Sequence, residues 1–177
     1  MPQSFLDLLH SRRSIRKYRP ERLDPETVDL LREIALRSPS SRGINPWRFV
    51  FVQNPETLRE LARSKGHGSA FLAGAALGVV VCAEEGESDV WVEDCSIAST
   101  LLHLGAHSLG LGSCWIQIRN RRAADGTSSE ARIRDVLGLP DTFRVESIVG
   151  VGRPAETKEG VSEEELQFDK MRDESWS

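Results

Sequence analysis

Five cationic side chains fall within eight residues near the start of the chain: Arg12, Arg13, Arg16, Lys17 and Arg19. The protein as a whole carries a formal charge of -4, so this cluster is a local feature and not a by-product of a basic composition. Guanidinium groups present planar N–H forks that match phosphate oxygens, and Ser14 adds a compact hydroxyl donor among them. The chemistry that such a cluster supports is capture of a phosphorylated ligand. Taken alone, it also fits a solvated basic turn after a short helix. One short cluster on an acidic chain is too little for broad nucleic-acid binding, which depends on neutralising many phosphates over an extended surface.

Other candidate signatures are weaker. Gly110-Leu-Gly112 and Gly150-Val-Gly152 begin as G-x-G but lack the third glycine and open no marked helix, which argues against a Rossmann site. His103 and His107 stand at helical i, i+4 spacing, yet no Glu adjoins His103 and no third ligand is near, so they read as packed or surface histidines. No metal ligand is assigned. Cys82, Cys95 and Cys114 are isolated, with no C-x-x-C pair; they argue against a disulfide framework, a zinc ribbon or an iron–sulfur cluster and are expected to be buried thiols. Neither a G-x-S-x-G elbow nor a P-loop is present.

The elements that must position the cationic segment are legible from periodicity and caps. At 177 residues with 39% hydrophobic content, the chain suits one domain spanning 1–177. A short helix over Ser4 to Ser11 carries Phe5, Leu8 and Leu9 on one face. A second starts with Asp24 as cap and Pro25 at its first position, buries Val28, Leu31, Ile34 and Ala35, and ends near Ser38-Pro39. Trp47–Val52 reads as a strand, and Asn54-Pro55 caps a helix with Leu58, Leu61 and Ala62. Gly66–Ser69 reads as a loop. Leu77–Ala83 is apolar throughout, as a central strand covered on both faces would be. A long helix is predicted from about Asp89 to Leu109, strands at Cys114–Ile118 and Arg144–Val151, and between them a helix with a Thr127–Glu130 capping box, stopped by Gly138 and Pro140. Beyond Pro154 the chain is polar and acidic, with Val161, Leu166, Phe168, Met171 and Trp176 too sparse to form a core, so it must lie on something else. No apolar run approaches the ~20 residues of a membrane span. The N-terminus lacks a charged region followed by an apolar stretch, and a cytoplasmic location is expected.

Three segments combine in order: Arg12-Arg-Ser-Ile-Arg-Lys-Tyr18, Ser38-Pro-Ser-Ser-Arg-Gly-Ile-Asn-Pro-Trp47, and Gly110-Leu-Gly-Ser-Cys-Trp-Ile-Gln117. With the Gly150-x-Gly152-x-Pro154 that ends the last strand, they resemble the FMN-dependent nitroreductase family over nearly the whole chain, Phe5 to Trp176. The tail resembles a short-chain branch with an acidic stretch and a terminal Trp. The resemblance implies an α+β fold, with a central, mainly antiparallel sheet of four or five strands flanked by helices. It also implies an intertwined homodimer whose C-terminal extensions, 153–177, cross to the partner. Bound FMN at the subunit interface would accept hydride from NADH or NADPH at N5 and pass electrons, in ping-pong order, to a small-molecule acceptor such as a nitroaromatic or quinone.

By the same resemblance, Arg12, Arg13, Ser14 and Arg16 bind the FMN phosphate, ribityl chain and pyrimidine edge, Arg16 lying nearest N1 and O2. Pro39, Ser40, Ser41 and Asn45 belong to a loop contributed by the partner. Trp115, Ile116 and Gln117 run past the isoalloxazine, with a backbone N–H reaching N5. Lys158 completes the phosphate site, with Arg153 and Arg172 as competing candidates. No side chain is an obligatory acid or base, so no catalytic residue is assigned, and Trp47 is left outside the site. The chain departs from the family pattern at Gly43 (often Asn), at Asn45 (often Gln), around His67-Gly68-Ser69, where some members direct Asn and Lys at the ring, and at Met171-Arg172. The alternatives are other flavin chemistry on the same fold, such as reductive dehalogenation or flavin cleavage, a non-catalytic flavin sensor or storage protein, and a basic nucleic-acid-binding module.

Overall fold

The computed structural model describes residues 4–176. Its centre is a four-stranded sheet, every neighbouring pair antiparallel, in the order β1 (Trp47–Val52), β2 (Leu77–Glu84), β4 (Phe143–Gly152), β3 (Gly112–Gln117). The architecture is the antiparallel α+β arrangement that the family resemblance implied, with the apolar run Leu77–Ala83 on an inner strand as expected. Five helices surround it: α1 (Phe5–Ser11), α2 (Pro25–Leu36), α3 (Pro55–Ala62), α4 (Trp91–Ser108) and α5 (Ser129–Leu137).

Strand side chains alternate between the two faces of a sheet, and β2 uses both. Leu77, Val79, Val81 and Ala83 meet Val28, Leu31 and Ala35 of α2 and Cys95, Ala98, Leu102 and Ala106 of α4. Val80 and Cys82 face the opposite way, toward Leu58 and Leu61 of α3 and Ile133 of α5, together with Ile116 and Ile118. That two-sided burial explains why β2 reads as a continuous apolar run. All three cysteines are buried free thiols.

The helix ends follow local chemistry. Asp24 accepts from the Thr27 N–H and Asn54 from those of Glu56 and Thr57, each followed by proline at the first position; Gly138 closes α5 in the left-handed region at φ 62°. Two expectations are corrected. The α5 cap is Ser128, which accepts from the Ala131 N–H, and not Thr127; the Glu130 carboxylate instead binds Arg134 and the Val145 N–H. The long helix starts at Trp91, since Asp89 is drawn to Arg42 and the Ser88 hydroxyl accepts from the Val90 N–H.

The cationic segment is fastened to this sheet by its backbone. Ile15 N–H donates to Ser113 O at 2.9 Å, Arg19 N–H to Arg153 O at 2.9 Å, and Ala155 N–H to Lys17 O at 2.9 Å. The Tyr18 hydroxyl reaches Ile15 O at 2.7 Å and Gly150 O at 3.1 Å. This close approach explains the second glycine of each G-x-G pair, while Gly110 stands in open space at φ 72°. A Cβ on Gly112 would stand 2.7 Å from Ile15 Cγ2, and one on Gly152 would stand 3.0 Å from the Tyr18 ring.

Gly112→Ala must push the β-branched Ile15, and the segment with it, off β3. We expect a loss of ~1–3 kcal/mol of stability, the range for overpacking a well-filled site. Urea unfolding measures it, and an unchanged midpoint would contradict this account of the glycine.

Candidate functional site

The segment Arg12–Lys17 runs along the outer edge of β3, with the residues after β4 on its other side. Lys158 Nζ donates to Ser14 O at 3.0 Å and pairs with Glu156 at 3.2 Å. The Glu156 carboxylate accepts from the N–H groups of Arg16, at 2.6 Å, and Lys17, at 3.2 Å. Those N–H bonds, Arg16 foremost, hold it below the usual carboxylate range. Arg13 bonds the carbonyl of Glu159, and the Arg16 guanidinium lies 6.0 Å from the Phe71 ring centre. The side chains of the segment are thus held apart, Arg12 against α4, Arg13 at the Glu159 carbonyl and Arg16 toward Phe71, while Lys158 and the backbone N–H groups of Arg16 and Lys17 hold the Glu156 carboxylate. Of the other two cations considered for this place, Arg153 pairs with Glu21 at 3.2 Å and Asp24 at 3.9 Å. Arg172 lies on the exposed tail over Trp176.

Arg12 is oriented by a histidine whose place here no sequence pattern indicated. Its guanidinium donates to His103 Nε2 at 2.8 Å. Arginine can only donate, so that nitrogen keeps its lone pair and the proton sits on Nδ1, which donates to the Ser113 hydroxyl. Burial, then the Arg12 charge and His107, depress the His103 pKa to about 4. One turn on, His107 bonds the Ser11 hydroxyl at 2.9 Å. The i, i+4 histidines thus fix the approach of the cationic segment to α4; their spacing was visible, but not the partner that uses it.

The β3 edge supplies backbone donors. Ser113 O receives Ile15 from outside the sheet, while Ile118 N–H donates inward to Glu146 O at 3.0 Å. Main-chain groups alternate in direction along a strand, so the N–H groups of Trp115 and Gln117 face the free edge. Their side chains form a relay across the sheet: Trp115 Nε1 donates to Gln117 Oε1 at 3.0 Å, and Gln117 Nε2 donates to Glu146 Oε1 at 3.0 Å. Glu146 occupies the bulge between β2 and β4, is 3% exposed, and leaves Oε2 buried with no partner. Desolvation raises its pKa. Ile116 points the other way, into the core beside α3 and α5, so only its backbone lies along the edge. Cys114, its neighbour on that face, sits among Arg16, Ser14 and Lys158; burial pushes its thiol pKa up against those cations.

The loop after α2 is built separately. The Ser40 hydroxyl donates to Asn45 Oδ1 at 2.7 Å and accepts from the Asn45 N–H at 2.8 Å, a closed ring that holds Arg42, Gly43 and Asn45 at positive φ. Ser41 N–H donates to the buried carboxylate of Asp94 at 2.8 Å, and Pro39 precedes this ring. The loop is thus tied to the start of α4, whereas Arg12 is tied to His103 near its end, ~14 Å away along the helix axis at ~1.5 Å per residue. Within one chain the structure does not bring Pro39, Ser40, Ser41 and Asn45 to the cationic segment.

The nitroreductase family model matches residues 9–68 and 63–153. The chain belongs to the nitroreductase family. An FMN-dependent nitroreductase of Clostridium difficile superposes with a TM-score of 0.95 at 38% identity, covering 97% of this chain and all of that one. A Parabacteroides distasonis structure, provisionally described as an NADH dehydrogenase/NAD(P)H nitroreductase, follows with a TM-score of 0.87 at 27% identity, covering 97% and 98%. An Archaeoglobus fulgidus protein with the same provisional description is 30% identical over 98% of this chain and 99% of its own length. Nitroreductase-family membership and these relatives support a flavin-type oxidoreductase role in general terms.

Two pH predictions follow from the buried titratable groups of this nitroreductase-family site. The unfolded chain takes up a proton at His103 near pH 6.5 and the folded chain only near pH 4, so stability is complete above pH 6.5 and falls by roughly 1–3 kcal/mol through that window. His103→Gln should flatten this acid limb in unfolding measured against pH; an unaltered limb would exclude His103 as its source. Glu146 acts in the opposite direction, because its raised pKa means the unfolded state ionises first and stability is lost as pH rises above ~4.3. Glu146→Gln keeps the bond to Gln117 and should therefore raise the melting temperature at pH 7 more than at pH 4, a difference read by calorimetry.

Proposed function

We propose that two copies of this chain hold FMN between them and act as an NAD(P)H-dependent oxidoreductase. The observation that carries this reading is that the cationic stretch Arg12–Lys17 is pinned by its backbone to the start of β3, with Lys158 bonded to Ser14 O, directly beside the outward N–H groups of the β3 edge. An anion with a flat polar ring answers both needs. The cations suit a phosphate, and the outward N–H groups of Trp115 and Gln117 suit ring nitrogen and oxygen acceptors. Lys158, with Arg12 and Arg13, would take the phosphate end, and Ser14 the ribityl chain. Arg16 would face the pyrimidine edge, where a cation favours the reduced form. The Trp115–Gln117–Glu146 relay fixes the side chains bordering the ring.

When bound, FMN supplies the redox chemistry: hydride from NADH or NADPH enters at N5 and leaves, in a second half-reaction, to a nitroaromatic, quinone or similar small acceptor. The protein positions the ring, sets its potential and excludes water, with no side chain required as acid or base.

The need for two chains is supported by the ~14 Å that α4 places between the Ser40 loop and the cationic segment at ~1.5 Å per residue. It is also supported by the apolar surface that one chain leaves open. Phe5 is 62% exposed and Leu6 63%, and on the tail Phe168, Met171 and Trp176 are 60–69% exposed. We read these as covered by the partner, the tail crossing to it.

The purified protein should be yellow, with flavin released as FMN on denaturation. Arg12→Ala with Arg16→Ala should weaken FMN binding beyond either single change, and affinity in the unaltered protein should fall on dilution below the dimer's dissociation constant. Flavin affinity that is independent of protein concentration would rule out a shared site. A bound flavin that stays oxidised with both nicotinamides would favour the sensor or storage reading.

A further inference from the structure

A second cationic feature lies beyond the far end of β3. A cleft of about 600 Å³ opens there, lined by Arg119, Arg121, Arg122 and Arg144 with Glu85 and Glu130. Its two carboxylates are already engaged. Glu85 pairs with Arg144 at 2.8 Å, and Glu130 with Arg134 at 2.9 Å and Arg144 at 3.7 Å. Arg119, Arg121 and Arg122 form no ion pair among the described residues. Arg119 lies over the Trp91 ring, 5.9 Å from its centre. Arg121 and Arg122 donate only to carbonyls, of Asn120 at 3.3 Å and Gly126 at 2.8 Å.

Three guanidiniums within four residues, none in an ion pair among the described residues, repel one another unless an anion joins them. The backbone beneath them is nevertheless fixed. Arg121 N–H donates to Ile118 O, Ser129 N–H to Arg121 O and Gly66 N–H to Arg122 O, each at 3.0 Å. The forks are therefore presented from an anchored turn and not from a loose loop. Arg119 follows the last residue of β3, Gln117, by two positions, so the cleft opens past the end of the same strand whose edge is proposed to meet the flavin. On the loop after α3, burial first and then the charge of Arg121 lower the pKa of the Lys65 ammonium.

We propose that this arginine cleft receives the 2′-phosphate of the nicotinamide dinucleotide, making NADPH the preferred hydride donor over NADH. The inference rests on the FMN reading above. The two donors differ by one phosphomonoester, a dianion whose oxygens match the arginine forks, and a nearby arginine is the usual device for accommodating it. A dinucleotide with its nicotinamide at the flavin must send its other nucleotide along or away from β3; the cleft gives the charged end a destination along the strand.

The test uses the FMN-loaded protein, with Arg121→Ala/Arg122→Ala as the variant; both positions are exposed, and an unchanged melting temperature verifies folding. Rapid-mixing measurement of flavin reduction should show half-saturation at lower NADPH than NADH. In the variant the NADPH value should rise roughly tenfold to hundredfold, the factor carried by one or two charge-assisted bonds, with the limiting rate and the NADH value unaltered. Equal half-saturation for both donors in the unaltered protein, or equal weakening of both in the variant, overturns the proposal. Calorimetric titration with 2′,5′-ADP, 5′-AMP and inorganic phosphate reads the cleft without hydride transfer. Binding of 2′,5′-ADP that exceeds the other two and is lost in the variant upholds the site even if neither donor reduces the flavin, an outcome that would sink only the reductase reading. Binding of 2′,5′-ADP no tighter than 5′-AMP or phosphate overturns it. Should the double variant fail to fold, Arg121→Glu alone must produce the same selective loss.

Discussion

Everything functional in this chain depends on a stretch of backbone, residues 14–19, being accepted as an annex to the sheet. Ile15 bonds β3 and Arg19 bonds the residue just after β4, so the stretch spans the two strands at one edge. The Tyr18 hydroxyl stitches it down at Ile15 and Gly150. Five cations in eight residues would otherwise repel one another and spread into water. Pinning the backbone makes their placement at this edge a property of the fold. The absence of side chains at Gly112 and Gly152 is what allows the contact, which is why these glycines serve packing here and not nucleotide binding of the Rossmann kind.

The second constraint is the length of α4. It offers one end to the loop built on Ser40 and Asn45, through Asp94, and the other to Arg12, through His103. A rigid helix between them prevents either from reaching the other. The loop is nonetheless strained and closed on itself, with three successive positions of positive φ at Arg42, Gly43 and Asn45 interrupted only by Ile44. Residues in that region persist only where their surroundings over-determine them. Such a loop is finished as a shape, which fits the proposal that it is presented to a second copy.

How much of this was legible in the sequence varies with the range of the interaction. Caps and periodicity located all five helices and four strands, because Asp24-Pro25, Asn54-Pro55 and the apolar run of β2 act locally. The Thr127 cap failed for a non-local reason: Glu130 had a better partner in the Val145 N–H, across the chain on β4. The cationic segment was visible from charge alone. His103, Glu146 and Cys114 were not assigned to the site, since each draws its role from residues distant in sequence: His103 from Arg12, Glu146 from a bulge that no composition signals, and Cys114 from Ser14 and Lys158. The arginines at 119–122 were visible as letters, but their lack of carboxylate partners is a fact only of the folded state.

The open apolar surface bears on why the tail has the composition it does. Burying apolar area contributes ~25 cal/mol per Å², but only when a segment has a surface to cover, and residues 161–176 bury almost nothing on their own chain. A segment this acidic gains little from self-association and stays soluble while exposed. Its apolar side chains, Val161, Leu166, Phe168, Met171 and Trp176, are spaced singly along it, so that no strongly apolar stretch forms before a partner is met. The exposed helix α1, with Phe5, Leu6 and Leu9 outward, lies beside the cationic segment on the same chain. A tail that covered a neighbour's α1 would bury both surfaces and at once close the entrance to the arginines from solvent. On the proposed reading, the apolar surface and the charged site would be met by one association.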